Sequence, residues 1–296
     1  MHDPAAQLYR GRIAPSPTGH LHLGHARTFW VAWRRARTSA GKLVFRNEDL
    51  DAKRCRPEFV RAMAEDLHWL GLEWDEGPGI DGPYAPYLQS ERRRFYLDAW
   101  RELRDRGYIY PCTCSRKDLE RALEAPHEED DEIPYPGTCR GQLSQARNWD
   151  SPAGVSWRFL VPDGDTVAFD DLGYGKQSFV AGKDFSDFLV WRRDDVPSYQ
   201  TAVTVDDRAM KITEVVRGAD LLKSTARQLL LFRGLGHLPP RYFHCPLLRD
   251  ERNVRLAKRH LSLSLSTLRA QGVDPHTLTS RFSAEVDWAK HLSSLR

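Results

Sequence analysis

The sequence has no long apolar run. No stretch of about eighteen consecutive apolar residues occurs, so nothing in it reads as a membrane-crossing helix. The start, Met1-His2-Asp3-Pro4, lacks the apolar region of a secretory signal. A cytoplasmic protein without a membrane partner is expected. Cysteine is scarce and odd in number: five in 296 residues, three of them close together. That argues against a disulfide framework and, in a reducing compartment, for metal binding. A strong excess of either charge is also missing. Lys and Arg total 44 against 41 Asp and Glu, a net charge of +3, which permits a nucleic-acid partner without demanding one. The balance of 41% hydrophobic and 29% charged residues is that of an ordinary globular protein with ample core.

What is present is concentrated first in residues 12–25. Arg12-Ile13-Ala14 can end a short buried strand, and Pro15, Pro17 and Gly19 then force a turn. From Ala26, apolar residues at 29, 30 and 33 recur at helical spacing with arginines between them. His22 and His25 therefore fall at the start of a helix, with Gly24 between them. A helix start offers unpaired N–H groups and partial positive charge to a phosphate chain. Imidazoles there can donate hydrogen bonds as charge grows on phosphate oxygens. A capping loop with surface histidines is the plainer alternative.

A second strand, 42–46, runs into Asn47-Glu48-Asp49-Leu50-Asp51, which puts acids at the carboxyl end of a parallel strand, where open α/β sheets bind ligands. Helices are predicted over 57–71 and 89–107. At Tyr110 the character changes. Cys112-Thr113-Cys114, an acidic run 128–132 and Tyr135-Pro136-Gly137-Thr138-Cys139 follow. Two thiolates one residue apart and a third further on can hold Zn²⁺, which takes four ligands. Alternation at 155–161 and 167–169, and a run at 185–193, predict antiparallel strands. A strand over 212–217 and a helix over 224–234 come next. Beyond 255–259 the helical pieces are 264–271, 275–282 and 284–295, and the chain ends at Arg296.

The string Ala14-Pro15-Ser16-Pro17-Thr18-Gly19, with His22-Leu23-Gly24-His25, resembles the HIGH motif of class I aminoacyl-tRNA synthetases in its glutamyl-tRNA synthetase form. Arg46-Asn47-Glu48-Asp49 resembles the Arg-x-Glu-Asp stretch of the same group, and the segment from Tyr199 to Asp207 its second catalytic half. Arg255-Leu256-Ala257-Lys258-Arg259 is similar to a worn KMSKS motif that keeps the later lysine, Lys258, and has Arg255 at the place of the first. Because so little chain follows, the resemblance is closest to the truncated branch, the glutamyl-queuosine tRNA(Asp) synthetases.

That resemblance implies an α/β fold: a Rossmann-like parallel sheet (1–109 and 197–245), an inserted zinc-containing α+β subdomain (110–196), and a KMSKS-like loop with short C-terminal helices (246–296) without an anticodon-binding domain. It implies an ATP-dependent ligase that activates glutamate without tRNA, then transfers it to queuosine in the anticodon of tRNA(Asp). Arg12, Ser16, Glu48, Tyr199 and Arg217 would hold glutamate. His22, His25 and Lys258 would act on the phosphates, with Gly24 letting ATP approach, and Mg²⁺ would accompany ATP. Cys112, Cys114, Tyr135 and Cys139 would hold one structural Zn²⁺; on chemistry alone, His127 rivals Tyr135 as fourth ligand. A monomer is expected. Two other readings stay open at this stage: an ordinary glutamyl-tRNA synthetase charging tRNA(Glu), and a non-catalytic RNA-binding remnant.

Overall fold

The computed structural model describes residues 8–115, 118, 135–248 and 264–284. His127, Arg255, Ala257 and Lys258 lie outside the described residues, as does most of the helix expected over 284–295.

The first strand, β1 (Arg10–Ile13), pairs in parallel with β2 (Lys42–Phe45), and α1 (Leu23–Thr38) forms the crossover between them. Gly41 permits the return: a Cβ there would sit 2.4 Å from the Tyr9 carbonyl oxygen. Helix α1 buries Ala26, Trp30, Val31, Ala32 and Ala36. These pack with Ile13, Leu43, Phe45 and residues of α2 (Pro57–Trp69) in one core. Pro57 opens α2 because a helix's first residue needs no N–H partner.

After a 3₁₀ turn (Gln89–Glu91), α3 (Arg93–Asp105) leads into β3 (Ile109–Cys112). A second 3₁₀ segment, Arg140–Asn148, precedes β4 (Ser156–Phe159). Strands β3, β4 and β7 (Leu189–Trp191) make an antiparallel sheet. Its core is aromatic: Trp100 meets Trp157 edge-on, and Phe159 stacks on Phe188.

Between these strands come β5 (Thr166–Asp171) and β6 (Gly175–Val180), a hairpin. The family resemblance implies that 110–196 is a single inserted unit. The hairpin instead joins the sheet formed by β8 (Glu214–Gly218) and β9 (Arg241–Cys245), in the order β6-β5-β9-β8. The link is short: Asp171 pairs with Tyr242, and Leu172 N–H donates to the Tyr242 carbonyl at 2.9 Å. β8 and β9 are parallel, and α4 (Tyr199–Ala209) and α5 (Leu222–Gly234) flank them. The two parallel pieces meet where Thr213 N–H donates to the Arg10 carbonyl at 2.9 Å. Two short helices, α6 (Leu265–Ala270) and α7 (Pro275–Ala284), close the described chain. No helix among the described residues is long and apolar enough to cross a membrane.

A buried ion pair ties α1 to this sheet. Arg35 Nε and Nη2 reach Glu214 Oε1 and Oε2 at 2.6 and 2.9 Å, and the Tyr9 hydroxyl donates to Oε1 at 2.8 Å. Both charged side chains are fully buried. Removing one partner strands the other in low dielectric. Glu214→Ala is expected to cost about 3–5 kcal/mol in urea unfolding, and a joint Arg35→Met, Glu214→Leu variant to recover most of it. A loss below about 1 kcal/mol for the single variant, the range of exposed pairs, would show that the pair is not structural.

Candidate active site

The strand ends converge. Pairing between the two halves of the first unit continues past β1 and β2: Arg46 N–H donates to the Ile13 carbonyl at 2.9 Å and Glu48 N–H to the Pro15 carbonyl at 3.0 Å. This sets Glu48 beside the turn that carries exposed Ser16. Arg12 is buried at the end of β1, and its Nη1 donates to the Val216 carbonyl on β8 at 2.8 Å. That contact brings β8, and with it Arg217, alongside.

An ion network fixes these groups. Arg46 Nη2 donates to Glu48 Oε1 at 2.9 Å and Nη1 to Asp207 Oδ1 at 2.7 Å. Arg12 Nε lies 3.6 Å from the same Asp207 oxygen, without a hydrogen bond among the described residues. Behind it Asp206 accepts from Arg92 Nε at 2.6 Å, Gln89 Nε2 at 2.8 Å and the Tyr96 hydroxyl at 2.9 Å. Burial works against the charge on Arg46, but Asp207, Glu48 and Asp206 outweigh it and hold the guanidinium protonated. Burial pushes the Glu48 carboxyl up from its ordinary value, with Arg46 opposing. Burial also lowers Arg12, partly offset by Asp207.

Tyr199 is the first residue of α4, whose start is capped by Ser198 accepting from Thr201 N–H at 3.3 Å. Its side chain is 41% exposed, unlike its buried neighbours Arg12, Glu48 and Arg217. Desolvation raises its phenol, and Arg217 and Arg12 pull the other way. Arg217 ends buried near the carboxyl end of β8, donating to His244 Nε2 at 3.2 Å and Thr225 Oγ1 at 2.7 Å. Two arginines and a glutamate converging here can bind a zwitterion with a second carboxylate: guanidinium forks suit carboxylates and Glu48 suits an ammonium.

The histidine pair stands at the start of α1, as its spacing predicts. His22 is the N-cap, and its Nδ1 accepts from Gly24 N–H at 3.1 Å. The rings of His22 and His25 stack with centroids 3.8 Å apart. A Cβ at Gly24 would come within 3.0 Å of the His22 ring, so glycine keeps this corner open. Lys258 lies outside the described residues; both described flanks of its segment reach the start of α1. Arg27 Nη2 donates to the Pro246 carbonyl, and His22 and Ser264 form an antiparallel bridge next to Leu265 N–H donating to the Leu21 carbonyl at 2.8 Å.

The thiols gather elsewhere. Sγ atoms of Cys112, Cys114 and Cys139 lie within 4.8 Å of one another. The Tyr135 hydroxyl is 3.4 Å from the Cys112 sulfur and 3.7 Å from that of Cys114, and accepts from Cys139 N–H at 2.8 Å. Burial raises the Cys114 thiol to about 11. Burial would also raise Cys139, but hydrogen bonds, that from the Tyr135 hydroxyl foremost, bring it down to about 7. Three sulfurs at such separations can hold a metal ion, since metal–sulfur bonds of ~2.3 Å in a tetrahedron separate sulfurs by a similar span. The Tyr135 oxygen lies beside two of these sulfurs. Around it, Arg140 pairs with Asp187 at 2.7 Å, Tyr110 donates to the same Asp187, and the Arg158 guanidinium lies 3.9 Å above the Tyr135 ring.

Asp207, His244, Thr225 and Asp171 escaped the sequence reading. Asp207 lies eight positions beyond Tyr199, a repeat of the helical period that marks a shared face and that was there to be used. The other three are joined by tertiary contacts between β5, β8, β9 and α5, which no local spacing announces.

The sequence pattern of the family "tRNA synthetases class I (E and Q), catalytic domain" matches residues 9–291. Glutamyl-Q tRNA(Asp) synthetase of Nitratidesulfovibrio vulgaris is 47% identical over 274 residues, 92% of this chain and 84% of that protein. Glutamate–tRNA ligase 1 of Halorhodospira halophila is 41% identical over 269 residues; the match takes in 90% of this chain but 56% of the ligase. The solved glutamate-tRNA synthetase of Elizabethkingia anophelis superposes with a TM-score of 0.72 at 32% identity, over 86% of this chain and 53% of that one. The chain thus spans about half the length of the glutamate–tRNA ligases it matches. It is a ligase of the class I glutamyl and glutaminyl tRNA synthetase family and belongs, within it, with the glutamyl-Q tRNA(Asp) synthetases.

Proposed function

We propose that the protein activates glutamate with ATP without needing RNA, and then transfers it to queuosine in the anticodon of tRNA(Asp). The observation that carries the choice of acceptor is the gradient of likeness: 47% identity across 84% of a glutamyl-Q tRNA(Asp) synthetase, against 41% across 56% of a glutamate–tRNA ligase. The convergence of Arg12, Glu48 and Arg217 supports glutamate as the amino acid.

In this reading Arg217 takes the side-chain carboxylate and Glu48 the α-ammonium, with Tyr199 and Ser16 at the mouth and Arg12 behind. The α-carboxylate attacks the α-phosphorus of ATP; the new C–O–P bond forms as pyrophosphate leaves. His22, His25 and the N–H groups of the first turn of α1 meet the charge that grows on the phosphate oxygens. Lys258 joins them from a segment whose described flanks contact that turn. Gly24 lets the nucleotide approach. Mg²⁺ bound with ATP would neutralise the phosphate chain. A queuosine hydroxyl then attacks the glutamyl carbonyl, and AMP leaves. Catalysis is mostly positioning and electrostatics.

The acceptor is tested with an isolated anticodon stem-loop of tRNA(Asp), with and without queuosine, and labelled glutamate. Label is expected on the modified loop alone, with transfer weakening as salt rises, since phosphate contacts release counterions. Label on intact tRNA(Glu), and none on the modified loop, would overturn the assignment in favour of the ordinary synthetase.

The metal of the cysteine cluster we take to be structural Zn²⁺, because the donors at hand are three sulfurs with the Tyr135 oxygen beside them, a set that suits Zn²⁺. Metal analysis of purified protein should find about one zinc per chain, lost in a Cys112→Ser, Cys139→Ser variant. Zinc-free protein of full stability would exclude the site. Tyr135→Phe retaining zinc while His127→Ala releases it would hand the fourth position to His127.

A further inference from the structure

Behind Arg217 stands a second layer of side chains that the reaction scheme does not use. His244 is the direct register partner of Arg217 on the parallel strands β8 and β9, so both side chains rise from the same sheet face. His244 Nδ1 lies 2.5 Å from Asp171 Oδ2, and both side chains are fully buried. Asp171 sits at the end of β5, where the hairpin meets β9. Its other oxygen, Oδ1, is committed to backbone: it accepts from Gly173 N–H at 2.9 Å, Tyr174 N–H at 2.8 Å and His244 N–H at 3.3 Å. The hairpin can approach this closely only because residue 173 is glycine; a Cβ there would sit 2.4 Å from the His244 carbonyl oxygen.

These contacts dictate the proton. An ionised carboxylate only accepts, so Nδ1 carries the hydrogen and donates it to Asp171. In a neutral imidazole the other nitrogen, Nε2, is then an acceptor, and it takes the Nε–H of Arg217 at 3.2 Å. The alternative tautomer, or the cation, would set N–H against N–H. Burial disfavours the imidazolium, and Arg217 beside it adds to that. Thr225 Oγ1 accepts from Arg217 Nη2 at 2.7 Å, and its own proton can go to the Leu221 carbonyl or to His244 Nε2, each at 3.2 Å, both compatible with an accepting Nε2. Among the described residues, the protein thus engages one edge of the guanidinium, Nε with Nη2. The outer fork, Nη1 with Nη2, is the edge that remains for a ligand.

We propose that Asp171 and His244 are positioning residues that fix the plane of the Arg217 guanidinium and so make the site select a side-chain carboxylate over a carboxamide. The proposal rests on the reading that Arg217 holds the substrate carboxylate. A carboxylate places two acceptors against the fixed fork. A carboxamide places one acceptor and one donor there, and the donor meets N–H. A guanidinium free to tilt would lower that penalty, so orientation, beyond charge, carries the discrimination.

The decisive variant is Asp171→Asn. Its carboxamide oxygen would stay on the three backbone N–H groups, and its NH₂ would face Nδ1. That forces the proton onto Nε2, against Arg217. The readout is amino-acid-dependent ATP–pyrophosphate exchange, run with unfractionated tRNA present so that it does not depend on whether activation needs RNA. Asp171→Asn and His244→Ala are each expected to raise the KM for glutamate roughly ten- to a hundredfold, the effect of losing a hydrogen bond to a charged group. The KM for ATP should stay within about threefold, and the preference for glutamate over glutamine should shrink by a similar factor. His244→Gln, which can present a carboxamide oxygen near the place of Nε2, should regain most of the loss. Arg217→Lys separates the two ideas. If it leaves the KM for glutamate unchanged, Arg217 is not the carboxylate holder and the underlying reading fails. If Arg217→Lys is impaired while Asp171→Asn and His244→Ala keep wild-type KM and selectivity, the relay is overturned. Equal losses for glutamate and ATP would mean a structural role only, and would overturn it too.

Discussion

The architecture depends on one constraint: several charges must be buried at the ends of the strands and still be paired. Arg46 sits at the centre of that solution. It is fully buried, and it reaches Glu48 two residues on, Asp207 across on α4, and Asp206 behind. Taking such charges out of water costs several kcal/mol per ion and is offset only when geometry is good and every partner is present. The pairing therefore has to be exact in register. β1, the segment that follows β2, β8 and α4 each contribute a charged side chain, and a one-residue slip in any strand would turn its charge to the other face. A network of this kind is poor as a source of stability and good as a source of uniqueness. It holds Arg12, Glu48 and Arg217 in fixed relation before any ligand arrives, which is what a site that works by positioning needs.

The same logic runs outward in layers. Arg217 is held by His244 and Thr225, His244 by Asp171, and Asp171 by the backbone of the hairpin turn it belongs to. The β5–β6 hairpin, which sequence order places among the inserted strands, thus supports the proposed glutamate pocket as well as the sheet edge. At the other corner, α1 is anchored through the buried pair of Arg35 and Glu214, and its start carries the histidines. The flanks of the segment bearing Lys258 touch that start from both sides. The charged cluster and the start of α1 thus both follow from the carboxyl end of β1, where Arg12 sits and from which the turn leads to His22.

The parts of this arrangement that are local in sequence were legible there. The turn after Arg12, the helix start at His22, the acidic strand end at Glu48 and the close thiols at 112, 114 and 139 all announce themselves by spacing and residue type. Element bounds shifted by small amounts: the strand read over 212–217 is Glu214–Gly218, and the helix read over 89–107 is a 3₁₀ turn followed by Arg93–Asp105. What stayed hidden is non-local. Neither Asp171 nor His244 stands in a motif or at a spacing that singles it out in the sequence. Only the parallel pairing of β5, β9 and β8, set by long-range closure, brings them to Arg217. The placement of the hairpin was hidden for the same reason: alternation identifies a strand but not the sheet that receives it.

The central claim is that a prearranged set of charges reads glutamate, with Arg217 on the side-chain carboxylate and Glu48 on the α-ammonium. The most direct measurement is a crystal structure with a non-hydrolysable glutamyl-adenylate analogue. The account predicts the side-chain carboxylate across the outer fork of Arg217, the ammonium at Glu48, the phosphate against the start of α1 near His22 and His25, and Arg12, Arg46, Asp207 and His244 unmoved from their present contacts. A ligand whose side-chain carboxylate lies away from Arg217, or a site that must break the Arg46 network to admit it, would contradict the account.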